Sequence, residues 1–321
     1  MWVGQALARR ARWRWAEIVF WLAAFAALFL PAGRHLILNE IAILALFALS
    51  LDLILGYAGI ISLGHAAFLG LGAYAAGLLA KHVTDDPTVG LALATVAAAS
   101  LGFATSFLVL RGSDLTRLMV TLGVAMLLGE LANALPDLTG GADGLQGVTM
   151  GPLLGLFEFD LYGRVAYAYS LTTLFVLMLV ARAVVYSPFG LSLMAIRRNR
   201  LRASALGVPV HKRLIAVYTL AAAFAGAAGA LLAQTTAFVS LDFFEFHRSA
   251  DVLLVLIIGG AGWLYGGILG AVLYEALQDA LAAVTPEYWQ FWIGLFLVAF
   301  VMLGRERLTG GMRGLLARFG R

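Results

Sequence analysis

The sequence predicts an all-α polytopic membrane bundle of about eight to ten spans, and three observations carry that expectation. Hydrophobic residues make up 62% of the 321 residues and charged ones only 12%, where soluble domains carry about 25% charged residues. Apolar stretches long enough to cross a hydrocarbon core of about 30 Å recur along the chain. Basic residues are segregated into alternate loops, as the positive-inside rule requires. Mean hydropathy is +0.92, and only helices or closed barrels satisfy their backbone groups in lipid.

The apolar stretches fall near residues 16–30, 36–55, 60–80, 89–110, 116–135, 165–185, 214–238, 250–260, 263–283 and 289–303. The first follows Arg9, Arg10, Arg12 and Arg14 like a signal peptide. It lacks a small-residue cleavage site before Pro31, so it reads as a retained span. The stretches at 250–260 and 263–283 are separated only by Ala261 and Gly262. The former is too short to span alone, which predicts a broken or re-entrant helix near 250–283. Alternating all ten stretches leaves only Arg34, Lys81, Arg164 and Arg248 of the 22 basic residues on the outer side. Both termini are therefore expected in the cytoplasm, and an even number of spans. Nothing marks a separate soluble domain, so residues 1–321 read as one membrane domain.

Net charge is +4 and the pI about 9.5, but the excess lies in loops between spans, which argues for a lipid bilayer as surroundings and against nucleic acid as a partner. The chain has no cysteine, so disulfides, thiolate metal sites and cysteine nucleophiles are excluded. Neither a Gly-x-Ser-x-Gly nor a Ser-x-x-Lys nucleophile motif is present, and no His or carboxylate spacing predicts a metal site. Catalytic and metal-ligating residues are thus expected to be none. The phosphate-binding loop Gly-x-x-x-x-Gly-Lys-Ser/Thr is also missing. An ATP-driven process would place ATP and Mg on another chain.

The largest polar interruption covers about 187–213, SPFGLSLMAIRRNRLRASALGVPVHKR. It carries Arg197, Arg198, Arg200, Arg202, Lys212 and Arg213 and no acidic residue. The segment from about Leu191 to Gly207 predicts a short cytoplasmic helix, with Gly207 as its C-cap. A basic, alanine-rich helix held between spans is suited to docking on a soluble partner. On the opposite side, the loop at about 136–164 is the longest. Thr139, Gly140, Gly141, Asp143 and Gly144 predict a tight turn there, with positive φ at the glycines and local amides capped by Asp143.

Residues 56–74 combine Gly56, Gly59, Gly64 and Gly72 with Ser62, His65 and Tyr74. Glycines let helices approach closely or unwind, and small polar groups can then face a pathway. Close helix packing is the competing reading for each glycine, and local satisfaction for His65. GLGAYA at 70–75 loosely fits a dinucleotide fingerprint, but it sits inside an apolar span without a preceding strand, so no nucleotide site is expected. Two small-residue faces, Ala225/Gly229/Ala233 and Gly262/Gly266/Gly270, predict close helix contacts, either within the chain or across a dimer. Of the carboxylates in or near spans, Glu40, Asp52 and Asp279 fall near expected span ends. Glu130 is expected to lie deepest, and with Thr121 it is grouped with the pathway.

Taken in order, these segments resemble a known family. DLILGYAGIISLGHAAFLGLGAY at 52–74, LRG at 110–112, TL at 121–122 and LTGGADGLQG at 138–147 are followed by SPFGLSLMAIRRNRLRASALGV at 187–208 and GGAGWLYGGILGAVL at 259–273. The order is similar to the LivM-type subunit of ABC-importer permeases for branched-chain amino acids. The resemblance implies a bacterial inner-membrane heterodimer with a homologous LivH-type permease, two cytoplasmic ATPases and an external substrate-binding protein. It also implies that the basic loop is the coupling helix seated in the ATPase, with Arg197, Arg198, Asn199, Arg202, Ala203, Ala205, Leu206 and Gly207 in that contact. Arg198 stands where relatives usually carry an acidic residue, Leu191 and Met194 replace commonly basic positions, and Gly267 replaces a common proline. The alternatives are a urea or short-amide permease of the same architecture, or an ion-coupled secondary transporter using the carboxylates.

Overall fold

The computed structural model describes residues 12–29, 34–153, 155–160, 162–284, 286, 288, 291–295 and 298. Among these it is helical, with only two isolated β-bridges, Leu145 with Val239 and Leu153 with Phe157. The principal helices are α1 (Trp15–Ala26), α2 (His35–Asp52), α3 (Ala66–His82), α4 (Pro87–Val109), α5 (Asp114–Asn133), α6 (Arg164–Val185), α7 (Pro188–Arg198), α8 (Arg200–Ala205), α9 (Val210–Thr236), α10 (Phe246–Gly259) and α11 (Gly266–Val284). Six helices among the described residues are long and apolar enough to cross a membrane: α2 with its extension to Tyr57, α4, α5, α6, α9 and α11. The chain is therefore a multi-pass membrane protein. Two compact units divide it, Met1–Ala271 and Val272–Arg321. Within the second, the described residues are mainly the later turns of α11 and a helical piece at 291–295. Arg9, Arg10, most of the stretch near 289–303 and the arginines beyond it lie outside the described residues.

Capping chemistry explains where several helices start. Asp86 accepts from the Thr88 amide and hydroxyl, both at 2.8 Å, with Pro87 at the first position of α4. Those bonds hold the Asp86 carboxyl below the usual carboxylate range, the side-chain bond from Thr88 first. Ser113 caps α5, and Ser187 caps α7 ahead of Pro188; each side-chain oxygen satisfies amides that the first turn leaves unpaired.

The centre of the first unit is α9, which packs against α4, α3 and α2. Small residues make this possible, because a side chain at Gly72 would collide with the Gly226 backbone and one at Gly229 with the Leu69 carbonyl. The Ala225/Gly229/Ala233 face is thus buried within the chain. Polar pairs join the apolar helices. The Ser170 hydroxyl donates to Asn39 Oδ1 at 2.7 Å between α6 and α2. Tyr169 and Gln234 both donate to the Pro87 carbonyl, at 3.0 and 2.8 Å. Arg182 of α6 pairs with Glu17 of α1 at 2.7 Å and lies over the Trp13 ring.

Two sequence expectations are corrected here. The apolar stretch near 60–80 is not one helix: α2 passes into a π-helical turn at Leu53–Tyr57, residues 58–65 are largely irregular, and α3 starts at Ala66. Its first amide is capped from another helix, by Ser249 Oγ at 2.9 Å, so the α3 start is set by tertiary structure. The break near 250–283 is present between α10 and α11, but Gly262 lies in the connection at φ +83 rather than on the helical face of Gly266 and Gly270. Those two glycines face the Gly260 and Val255 carbonyls within the chain.

Candidate coupling segment and helix-break junction

The basic segment is two helices where the sequence predicted one. Asn199 is extended at φ −162, ending α7, while its Oδ1 accepts the Arg202 amide at 2.9 Å and starts α8. Gly207 terminates α8 at φ +82, its amide donating to Ser204 O and the Val208 amide to Ala203 O. This arrangement closes a helix C-terminus with glycine in the left-handed region. Ala203 is buried, while Arg198, Arg202 and Ala205 are exposed. Leu206 is 77% exposed, and so is a residue that the sequence did not single out, Leu201, at 84%. The two exposed leucines share this segment with the exposed Arg198, Arg200 and Arg202. Periodicity could have found Leu201, since it falls between Arg200 and Arg202 on a six-residue helix with one inward alanine. Arg200 faces the Arg117–Asp114 pair at the start of α5.

Arg197 behaves differently from its neighbours. Its Nη1 donates to the Gly56 carbonyl in the π-helical turn. Its aliphatic stem runs beneath Gly59, which is at φ +72. Asp52, at the end of α2, is 1% exposed and its Oδ1 accepts the Gly262 amide at 2.7 Å. A side chain at Gly56 would collide with that carboxylate. Asp52 is thus buried inside the chain, whereas Glu130 is exposed in the last turn of α5.

The remaining pathway candidates separate into packing and polar positions. Gly64 lies against the Thr121 carbonyl and Gly72 against Gly226. Thr121 Oγ1 accepts the Leu63 amide at 3.4 Å and donates to Leu118 O at 3.1 Å. His65 is fully buried, stacked on Phe47, with Nε2 2.8 Å from Ser50 Oγ. Because the Ser50 proton points to Phe47 O at 2.6 Å, His65 Nε2 must be the donor, which leaves Nδ1 without a hydrogen. That Nδ1, Ser62 Oγ and the Tyr74 hydroxyl have no hydrogen-bond partner among the described residues; Tyr74 stacks on Phe244 at 5.5 Å. Glu130 and Asn133 line an open groove of about 720 Å³ with Leu122, Met126, Phe244 and Glu245. The structure thus brings Gly56, Gly59 and Arg197 together, and places Glu130 on a different face.

In the 136–164 loop, Gly140, Gly141 and Gly144 all have positive φ, as the turn requires. The capping oxygen is Thr139 Oγ1, which accepts the Gly141 amide at 3.3 Å and donates to Ala132 O at 2.5 Å. No Asp143 side-chain bond occurs among the described residues; a threonine hydroxyl already occupies the position from which Asp143 was expected to act. Leu145 pairs with Val239 through both backbone bonds, at 2.7 and 3.3 Å, tying the loop to the segment after α9. Asp242, Glu245 and His247 also converge within 4.8 Å, a grouping the sequence did not reveal. His247 lies 3.3 Å from Asp242 and 3.1 Å from Glu245, and Arg248 holds Asp242 at 2.6 Å, so each member of the group already has a partner within it.

Residues 34–301 match the family described as branched-chain amino acid transport system / permease component. The chain is 28% identical over 278 residues to the high-affinity branched-chain amino acid transport system permease protein LivM of Escherichia coli (strain K12), and equally to that of Salmonella typhimurium (strain LT2). The alignments cover 80% of this chain, and the chain spans about 65% of the length of these curated relatives. No solved structure matches it.

Proposed function

The chain belongs to the branched-chain amino acid transport permease family, and from that premise we propose that it is a LivM-type permease subunit of an ATP-driven importer for branched-chain amino acids. It works beside a homologous LivH-type permease, two cytoplasmic ATPases that hold ATP and Mg, and an external substrate-binding protein, in a bacterial inner membrane with both termini cytoplasmic. The observation that carries the coupling role is the α7–Asn199–α8 unit. It presents Leu201 and Leu206 outward beside exposed arginines, on a segment between two membrane-length helices. Buried apolar anchors ringed by charge are what a stable protein contact uses, and the arginines supply charge-assisted bonds to acidic or carbonyl groups. Urea and short amides remain the competing cargo, since permeases of this architecture leave selection largely to the external protein.

The test is reconstitution with the four partner chains in liposomes and measurement of uptake and ATP hydrolysis. Leucine-, isoleucine- or valine-stimulated hydrolysis and uptake are expected; stimulation by urea alone would reassign the cargo. Ala205→Trp keeps every charge and sits on an exposed position, so it is expected to abolish ATPase association or uncouple hydrolysis from uptake. Wild-type uptake by that variant would reduce the segment to a topology signal.

A further inference from the structure

We propose that Arg197 and Asp52 form a clasp that transmits movement of the α7–α8 segment into the two helix breaks, making both of them positioning residues for transport. The inference rests on the coupling role of α7 and α8, and adds the connection from that surface segment into the membrane-length helices.

The helical ladder is interrupted twice in the first unit. At Leu53–Tyr57 the chain widens into a π-helical turn, a feature that frequently marks functional positions. The Ile60 amide then reaches back to the Ile54 carbonyl at 2.8 Å, and the Gly56 carbonyl is met by the Arg197 guanidinium. The second interruption lies between α10 and α11, where Gly260 and Gly262 adopt φ +99 and +83. There the Gly262 amide is taken up by Asp52 Oδ1 at 2.7 Å. A side chain at Gly262 would come within 3.0 Å of Arg197 Nη1, so the guanidinium touches both breaks at once. Asp52 ties one break to the other, and Arg197 ties both to the end of α7.

The chemistry explains why these residue types are needed. A carboxylate buried among apolar helices is costly unless hydrogen-bonded and near an opposite charge; Asp52 accepts the Gly262 amide, and the Arg197 guanidinium is held nearby on the Gly56 carbonyl. Its second oxygen is buried and has no hydrogen-bond partner among the described residues, so the Gly262 amide is the one bond the carboxylate makes among them. Arginine offers several donors in a rigid plane, so it can hold the Gly56 carbonyl while lying against Gly262. Glycine is required at Gly56 and Gly262 because the Asp52 carboxylate and the guanidinium occupy the space of a side chain. Arg198 and Arg202 form no ion pair among the described residues, whereas Arg197, itself exposed along its length, reaches the Gly56 carbonyl from the same helix terminus.

The experiment uses the reconstituted transporter with Arg197→Met, Arg197→Lys, Asp52→Asn and Asp52→Leu in this chain. Arg197→Met is expected to keep the ATPases bound and hydrolysing while uptake per ATP falls about tenfold, the loss of one charge-assisted bond. Arg197→Lys is expected to recover part of that loss, since an ammonium can reach one carbonyl but not span both breaks. Asp52→Asn keeps the oxygen that accepts the Gly262 amide and should retain most of the coupling, whereas Asp52→Leu, which cannot accept it, should reproduce the uncoupling. Undiminished uptake per ATP in Arg197→Met overturns the clasp and leaves the coupling role standing; loss of ATPase binding in that variant also overturns it, by making Arg197 a contact residue. Failure of the wild-type chain to bind any ATPase overturns the coupling role itself. If the variants do not fold, the clasp is read in an otherwise native chain, which has no cysteine of its own. Spin labels at Ile61→Cys and Trp263→Cys, both on exposed side chains, should keep one narrow distance through ATP binding and hydrolysis. Separation into two distances would show that the breaks move independently and would sink the proposal.

Discussion

At the scale of single residues, the depth of a carboxylate was the least legible property. Hydropathy locates Asp52 and Glu130 along their helices but not around them, and only the structure shows Asp52 buried against the chain and Glu130 exposed. The reason is the π-helical turn, which extends α2 beyond Asp52 and closes Gly262 over it. Glycines were legible as contacts but ambiguous as pathway. Gly72 lies against Gly226, so Gly72→Leu has no rotamer that avoids backbone. Overpacking of this kind costs about 1–3 kcal/mol or more. The variant is expected to lose folded protein in detergent, measured by size-exclusion yield, before any specific effect on uptake; normal yield with lost uptake would instead point to the pathway. Asp86 gives a titratable counterpart. Its carboxyl is held low by Thr88, so its stabilisation is complete above the unfolded carboxylate pKa of about 3.9 and is lost as pH falls through the lower folded value. Asp86→Asn keeps a capping oxygen without the charge, and should flatten the acid limb of a melting-temperature profile. Asp86→Ala should cost about 1 kcal/mol near neutral pH. An unchanged acid limb in Asp86→Asn would remove Asp86 from the pH response.

At the scale of elements, the periodic apolar stretches foretold most helices to within a few residues, while the breaks were legible only where glycine and a short run coincided. The α10/α11 break could be read from the shortness of 250–260 and from Gly262. The irregular segment at 58–65 could not, because Ile60, Ile61 and Leu63 look like any apolar turn, and what ends the helix is contact with Arg197 and Thr121. The basic segment shows the same limit. Its residues favour helix throughout, yet the Asn199 side chain takes the Arg202 amide and divides it; asparagine competes with the backbone in this way at helix starts. Asn199→Ala removes that cap at a cost of about 1 kcal/mol. Helix α8 has six residues, too few to persist without tertiary support. The variant should therefore weaken ATPase association in a pull-down while leaving the amount of chain in the membrane unchanged. Equal association would mean that α7 alone carries the contact.

For the whole molecule, the orientation drawn from charge meets an independent geometric requirement. Helix α4 returns into α5 through the short turn at 110–113, so the start of α5 and the end of α4 share one side. The chain then crosses with α5, passes through the 136–164 loop and recrosses with α6 to reach α7 and α8. Two crossings bring the basic segment back to the side of the α5 start, and Arg200 does face Arg117 and Asp114 there. The charge rule assigns that side to the cytoplasm, because Arg111, Arg117 and the arginines of 197–202 cluster on it. The absence of native cysteine makes the assignment testable one residue at a time. Leu201→Cys, 84% exposed in α8, and Leu156→Cys, 79% exposed in the opposite loop, should react with an impermeant maleimide from opposite faces. In intact cells the label should reach position 156 and not 201; in inside-out vesicles the preference should reverse. Labelling of both positions from the outer face would break the two-crossing path between them. Labelling of 201 alone from outside would invert the molecule and turn the arginine-rich segment away from any cytoplasmic ATPase.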